Sequence, residues 1–197
     1  MVDHQGEVVD GDELLLIIAL HQQSKGLLTG GVVGTLMSNL GLEVALKDHG
    51  IGFARAQVGD RYVIAKLLQE GWRLGGEGSG HILCLDQATT GDGVVSALQV
   101  LRAIVEQGKT IAELKSVMTK FPQMMINVRA VSAKAIENKA VQSAVRDVEA
   151  LLGKKGRVLL RPSGTEPLIR VMVEGEDTQQ VTRLAEQLAA AVAASEH

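Results

Sequence analysis

The chain runs in two hydrophobic rhythms, and the change between them falls near Pro122. From residue 30 onward, short apolar runs bounded by glycine alternate with stretches whose apolar residues recur at the helical period. Residues 31–37 predict a strand, 38–48 a short Leu-rich segment, 52–58 a second strand, and 60–70 a helix with Val63, Ile64, Leu67 and Leu68 along one side. A glycine-rich loop and a strand at 82–85 follow. Asp92 then caps a long helix for which Val94, Val95, Leu98, Leu101, Ile104 and Val105 predict the apolar face. Thr110-Ile111-Ala112-Glu113 carries the capping box that opens a further helix. Upstream, Leu14, Leu15, Ile18 and Ala19 predict a helix capped by Asp12 and ending near Lys25-Gly26.

Past Pro122 the rhythm shortens. Ile126, Val128 and Ala130 alternate with Asn127 and Arg129, the period of a strand with one face in water. A helix over 138–152, strands over 157–160 and 168–174, and a last helix capped by Asp177 complete a β-α-β-β-α order. That order predicts an antiparallel sheet with helices on one face. The fold class is therefore an α/β domain over 26–121 followed by a small α+β domain over 122–197. Residues 1–25 hold too few elements to form a sheet of their own, so they read as the end of a preceding domain.

Composition narrows the function. With 46% hydrophobic residues in 197, both domains can build a core. Aromatics at 2% and a net charge of -3 leave little with which to stack bases or neutralise a phosphate backbone, so no nucleic-acid partner is expected. The longest apolar run, residues 14–20, is too short to cross a bilayer, and the amino terminus lacks a basic, apolar signal. No membrane partner is expected. The single cysteine, Cys84, lies among Ile82, Leu83 and Leu85 and reads as a buried strand residue in a reducing compartment, which points to a cytoplasmic protein.

Two segments carry candidate chemistry. Arg161-Pro162-Ser163-Gly164-Thr165-Glu166-Pro167, followed by Arg170, offers a guanidinium fork, two hydroxyls and backbone N–H groups freed by Gly164. Pro, Ser, Gly and Thr also make ordinary hairpin turns, but a turn needs no cation at the strand end, and Arg161 favours phosphate. Gly75-Gly76-Glu77-Gly78-Ser79-Gly80-His81 places an acceptor, a hydroxyl and a titratable ring on a backbone that a ligand can approach closely, a set suited to sugar hydroxyls. A dinucleotide fingerprint would open a helix after its glycines, whereas a strand follows here. Taken alone, His81 also reads as an imidazole hydrogen-bonded to backbone at a strand start. Asp60 and Arg61 are either ligand contacts or a helix cap and a solvated first-turn residue. Asp10-Gly11-Asp12-Glu13 lacks the spacing of a calcium loop, so no metal site is expected. Thr89-Thr90-Gly91-Asp92-Gly93 reads as a helix entry.

Four segments in order, Val58-Gly59-Asp60-Arg61-Tyr62-Val63, Gly76-Glu77-Gly78-Ser79-Gly80-His81, Thr89-Thr90-Gly91-Asp92-Gly93 and Arg161-Pro162-Ser163-Gly164-Thr165-Glu166-Pro167, resemble the α-D-phosphohexomutases over essentially the whole chain. The resemblance implies a four-domain isomerase with a phosphoserine in the first domain, a Mg²⁺ loop in the second, sugar recognition in the third and phosphate binding in the fourth. Carried over, Glu77, Ser79, Asp60 and Arg61 would contact the sugar and His81 would be a general base. Arg161, Ser163, Gly164, Thr165 and Arg170 would hold the phosphate. Gly78, in the middle of the sugar loop, offers no side chain. Within the family the chain looks most like the branch that interconverts glucosamine 6-phosphate and glucosamine 1-phosphate, with glucose or glucosamine 1,6-bisphosphate as activator and intermediate. The implied partners are a small phosphosugar and the amino-terminal domains of the same protein, where the Mg²⁺ site would lie. The chain by itself is then expected to be inactive. The neutral-hexose branches, or a free-standing phosphosugar-binding module, would use the same loops.

Overall fold

The computed structural model describes residues 1–129, 133–164 and 166–195, which leaves Ala130 and Thr165 outside the described residues. It divides into two units, Met1–Lys120 and Phe121–His197. In chain order the first contains α1 (Gly11–Ser24), β1 (Val32–Thr35), α2 (Leu40–Asp48), β2 (Phe53–Ala56), α3 (Asp60–Glu70), β3 (Leu74–Gly76), β4 (Ile82–Cys84), α4 (Gly93–Gln107) and α5 (Ile111–Lys115). The sheet order is β2-β1-β3-β4. β1 runs parallel to β2 and β3, while β3 and β4 form an antiparallel hairpin. On one face α1, α2, α4 and α5 share a core with Val32, Leu74, Ile82 and Cys84. On the other, Val63 and Leu67 of α3 pack on Val33, Ala56 and Leu83.

α1 corrects the expected boundary after residue 25. Leu15, Leu16, Ile17, Ile18 and Ala19 are each 2% exposed or less and lie in the core of this unit, so α1 covers this sheet and is not the end of another domain. A helix apolar on nearly every side belongs between layers, and that is its place here. The residues before it join the same unit: Val2 pairs with Val8, Val9 is in the core, and buried Asp3 holds Lys115 at 2.9 Å. The cap is also two residues earlier than expected. Asp10, not Asp12, is the N-cap, and it forms a reciprocal capping box with Glu13 (3.0 and 2.9 Å). Asp12 is inside the helix and buried.

α4 departs from its predicted face. Ser96, Val100 and Ala103 are buried, Val95 and Ile104 flank them, and Val94, Leu98, Leu101 and Val105 are 45–77% exposed. The small residues Ser96 and Ala103 let the helix approach closely, and Ser96 hydrogen-bonds the Asp92 carbonyl at 2.8 Å. The apolar residues therefore occupy two opposite sides of one helix. The first glycines of the predicted loop are strand β3. A Cβ at Gly75 would come within 2.8 Å of the Val33 carbonyl oxygen and 2.9 Å of Val63, so glycine there answers to packing between β1 and α3.

The second unit contains β5 (Gln123–Arg129), α6 (Lys139–Leu152), β6 (Gly156–Pro162), β7 (Leu168–Gly175) and α7 (Thr178–Ala194). The sheet is antiparallel, in the order β5-β7-β6. Val141 and Val148 of α6 and Val181, Leu184, Leu188 and Val192 of α7 bury Val128, Ile169, Val171 and Val173. The alternate residues point away from this core. Among them Glu174, fully buried, is held by Arg157 at 2.6 Å. No helix among the described residues is long and apolar enough to cross a membrane.

Candidate functional site

In the first unit the candidate residues collect at the carboxyl ends of the parallel strands, where ligands bind in open α/β sheets. The β3–β4 hairpin closes with Glu77 N–H donating to the His81 carbonyl and Gly80 N–H donating to the Glu77 carbonyl, both at 2.9 Å. Gly80 takes φ +98°, a conformation that favours glycine. Ser79 and His81 are exposed and Glu77 is half-buried. His81 Nε2 lies 2.7 Å from Asp60 Oδ2 at the start of α3. The cap of α3 is Gly59, with no side-chain bond, which leaves Asp60 available to the imidazole. The ring also rests on Gly91: a Cβ there would fall 2.1 Å from Nε2. Three separate segments thus meet at His81. A carboxylate beside one ring nitrogen orients the imidazole, a geometry that suits a general base.

The other first-unit residues divide. Arg61 lies over the Tyr62 ring, 4.5 Å from its centroid, and donates to the Tyr62 hydroxyl; the structure places it on its neighbour. Ser79 lines a cavity of about 410 Å³ with Asp10, Gly11, Gly80, Ser96 and Val100. The start of α1 backs the loop, since Gly11 N–H donates to the Gly78 carbonyl at 2.9 Å and a Cβ at Gly11 would collide with the Glu77 carbonyl oxygen at 2.0 Å. Sequence reasoning missed Arg55, which pins residues 35–39 through the carbonyls of Thr35 (2.9 Å) and Ser38 (2.7 Å) while pairing with Glu43. It also missed Asp12 as anything but a cap.

In the second unit the register of β6 and β7 sets Arg161 directly across from Arg170. Like charges in such a pair oppose strand pairing, and an anion between them reverses the sign. Arg170 Nε is buried with no hydrogen-bond partner among the described residues. Asn127 of β5 stands in register with Arg170 on its other side, so an amide joins two guanidiniums in one row. Periodicity marks Asn127 as outward-facing, but only the strand order reveals its neighbour. Ser163 N–H donates to the Leu168 carbonyl at 2.9 Å and closes the loop that contains Gly164.

Residues 10–121 match the model for the phosphoglucomutase/phosphomannomutase alpha/beta/alpha domain III, and residues 125–191 match the C-terminal domain of the same family. The chain belongs to the phosphoglucomutase/phosphomannomutase family. It is 61% identical to a phosphoglucosamine mutase of Methylococcus capsulatus over 98% of this chain and 43% of that protein. It is 59% identical to the Salmonella newport phosphoglucosamine mutase over 98% of this chain and 44% of that one. The chain thus spans less than half the length of these curated relatives. Among solved structures, the Aspergillus fumigatus N-acetylphosphoglucosamine mutase in complex with GlcNAc-6P and magnesium superposes with a TM-score of 0.84, at 19% identity, over all of this chain and 46% of that one. That likeness supports the hexomutase fold. Among the described residues no group of three or more His, Cys, Asp or Glu side chains is arranged to hold a metal ion.

Proposed function

We propose that this chain supplies sugar and phosphate recognition to a phosphoglucosamine mutase that interconverts glucosamine 6-phosphate and glucosamine 1-phosphate through a bisphosphate. The observation that carries the reading is the cross-strand pair Arg161 and Arg170, with Asn127 in the same row. Arg161, Arg170, Ser163, Gly164 and Thr165 hold the phosphate that is not reacting. Glu77 and Ser79 read sugar hydroxyls. His81, oriented by Asp60, takes a proton from the hydroxyl that accepts the phosphoryl group. The phosphoryl-carrying serine and the Mg²⁺ loop are assigned to the part of the relatives that this chain does not span. Bisphosphate turnover asks the same loops to accept the sugar in two orientations, which suits a set of hydroxyl contacts on a glycine-rich backbone.

A charge-assisted hydrogen bond contributes roughly 1.5–3 kcal/mol, so Arg170→Ala should weaken glucosamine 6-phosphate binding about tenfold or more. Calorimetric titration of the chain with glucosamine, glucose and mannose 6-phosphates measures this and ranks the sugars. Unchanged affinity in Arg161→Ala and Arg170→Ala would overturn the phosphate assignment. Turnover by the chain alone, supplied with Mg²⁺ and the 1,6-bisphosphate, would overturn the division of labour.

A further inference from the structure

Asp12 stands where three parts of the first unit meet. It lies in the first turn of α1 and is 4% exposed. Its Oδ2 accepts the Asn39 N–H at 2.8 Å, and the Ser38 side chain also hydrogen-bonds the carboxyl. On its other side is the sugar loop: a Cβ at Gly78 would come within 3.1 Å of Oδ2, and the preceding residue, Gly11, donates to the Gly78 carbonyl. Asp12 Oδ1 is buried with no hydrogen-bond partner among the described residues. An oxygen stripped of both water and donors disfavours the anion far more than the neutral acid.

The surrounding charges do not reverse this. On α1, Asp10 opposes ionisation, and Lys120 is shared between Asp10 and Glu13 at 2.6 and 3.2 Å. Arg55 of β2 favours the anion but is bound to Glu43 of α2 and to two carbonyls. Glu77, on the loop itself, adds a further acidic group. Burial is the largest influence, and it pushes the Asp12 carboxyl up to about 6.

We infer that Asp12 is a positioning residue of the sugar loop: one carboxyl ties residues 38–39 to α1 and underlies Gly78, so gaining or losing its proton shifts the loop that carries Glu77 and Ser79. The inference rests on the reading of residues 77–81 as the sugar loop. Its test is a pH titration of the ligand-free chain followed by amide NMR, in a His81→Gln background so that the imidazole does not contribute. The amides of Asn39, Gly78 and Ser79 are expected to move together with a midpoint near 6, and Asp12→Asn to abolish that movement. Gly78 and Ser79 amides that stay flat, or that move equally in Asp12→Asn, overturn the proposal. The titration with Asp12 intact decides the first outcome, so a variant that does not fold leaves the test standing. A second arm compares glucosamine 6-phosphate affinity with and without Asp12→Asn across the same range, a ratio in which the ligand's own phosphate titration cancels. That ratio should change through the Asp12 midpoint, and a constant ratio would sever Asp12 from recognition. A loop that titrates but never responds to a phosphosugar supports the positioning role and sinks the sugar reading instead.

Discussion

The two units prepare their candidate sites by opposite means. The first uses backbone: hairpin carbonyls, helix starts and glycines at 11, 78, 80 and 91 leave room in which His81, Asp60 and Ser79 are set. The second uses side chains on a regular ladder, where the pairing of β5, β7 and β6 alone lines up Asn127, Arg170 and Arg161. A site built from loops can change shape with a proton or a ligand. One built from strand register resists such change, which suits a grip on a phosphate. On the proposed reading, the difference teaches that sugar recognition should be sensitive to packing beneath the loop, and phosphate recognition to the integrity of the sheet.

The largest expected effect lies in the second unit. Arg157→Met removes the guanidinium held 2.6 Å from fully buried Glu174, and breaking a buried pair costs about 3–5 kcal/mol, read as a lower urea midpoint for that unit. Retained stability would show that the ladder does not depend on this pair. Next comes the pH dependence of the first unit. Because folding raises the Asp12 carboxyl from 3.8 to about 6, the folded state binds its proton more readily than the unfolded chain. The stability this provides is present below pH about 4 and is lost as pH rises through about 6, a loss of about 3 kcal/mol. Asp12→Asn should flatten that slope and be the more stable form at pH about 8, as followed by thermal unfolding. A smaller effect, about 1–3 kcal/mol, is expected for Gly11→Ala, whose methyl must displace the Glu77 carbonyl, and sugar affinity should fall with it while phosphate affinity does not. Smallest of all, Leu98→Gln on the outer side of α4 should change stability by less than about 0.5 kcal/mol in the same thermal assay.

Most elements were legible because their signals are local. Asp92, Thr110 and Asp177 each accept the backbone N–H bonds that their positions predict, and α3 spans Asp60–Glu70 as its periodicity requires. What escaped depends on neighbours distant in the chain. The apolar residues of α1 say that it is buried but not against which sheet. Those of α4 do not reveal that Ser96 and Ala103 make the inner face, since the advantage of small residues there comes from close approach to β4 and α1. At the candidate site, the residue types that could bind an anion or a sugar were legible, but the pairing of His81 with Asp60 and the row from Asn127 to Arg161 were not. Both arise from the meeting of segments far apart in sequence.

Trp72 fills a slot bounded by three glycines: a Cβ at Gly30 would fall 2.2 Å from its ring, and one at Gly31 or Gly52 would come within 2.7 or 3.2 Å. It is the only tryptophan, Tyr62 is the only tyrosine, and both belong to Met1–Lys120. Indole fluorescence therefore reports on that unit alone, and Phe121–His197 is nearly silent in the near ultraviolet. Far-ultraviolet dichroism, which sees the peptide bonds of both, minus the tryptophan signal gives the unfolding curve of the second unit without any label.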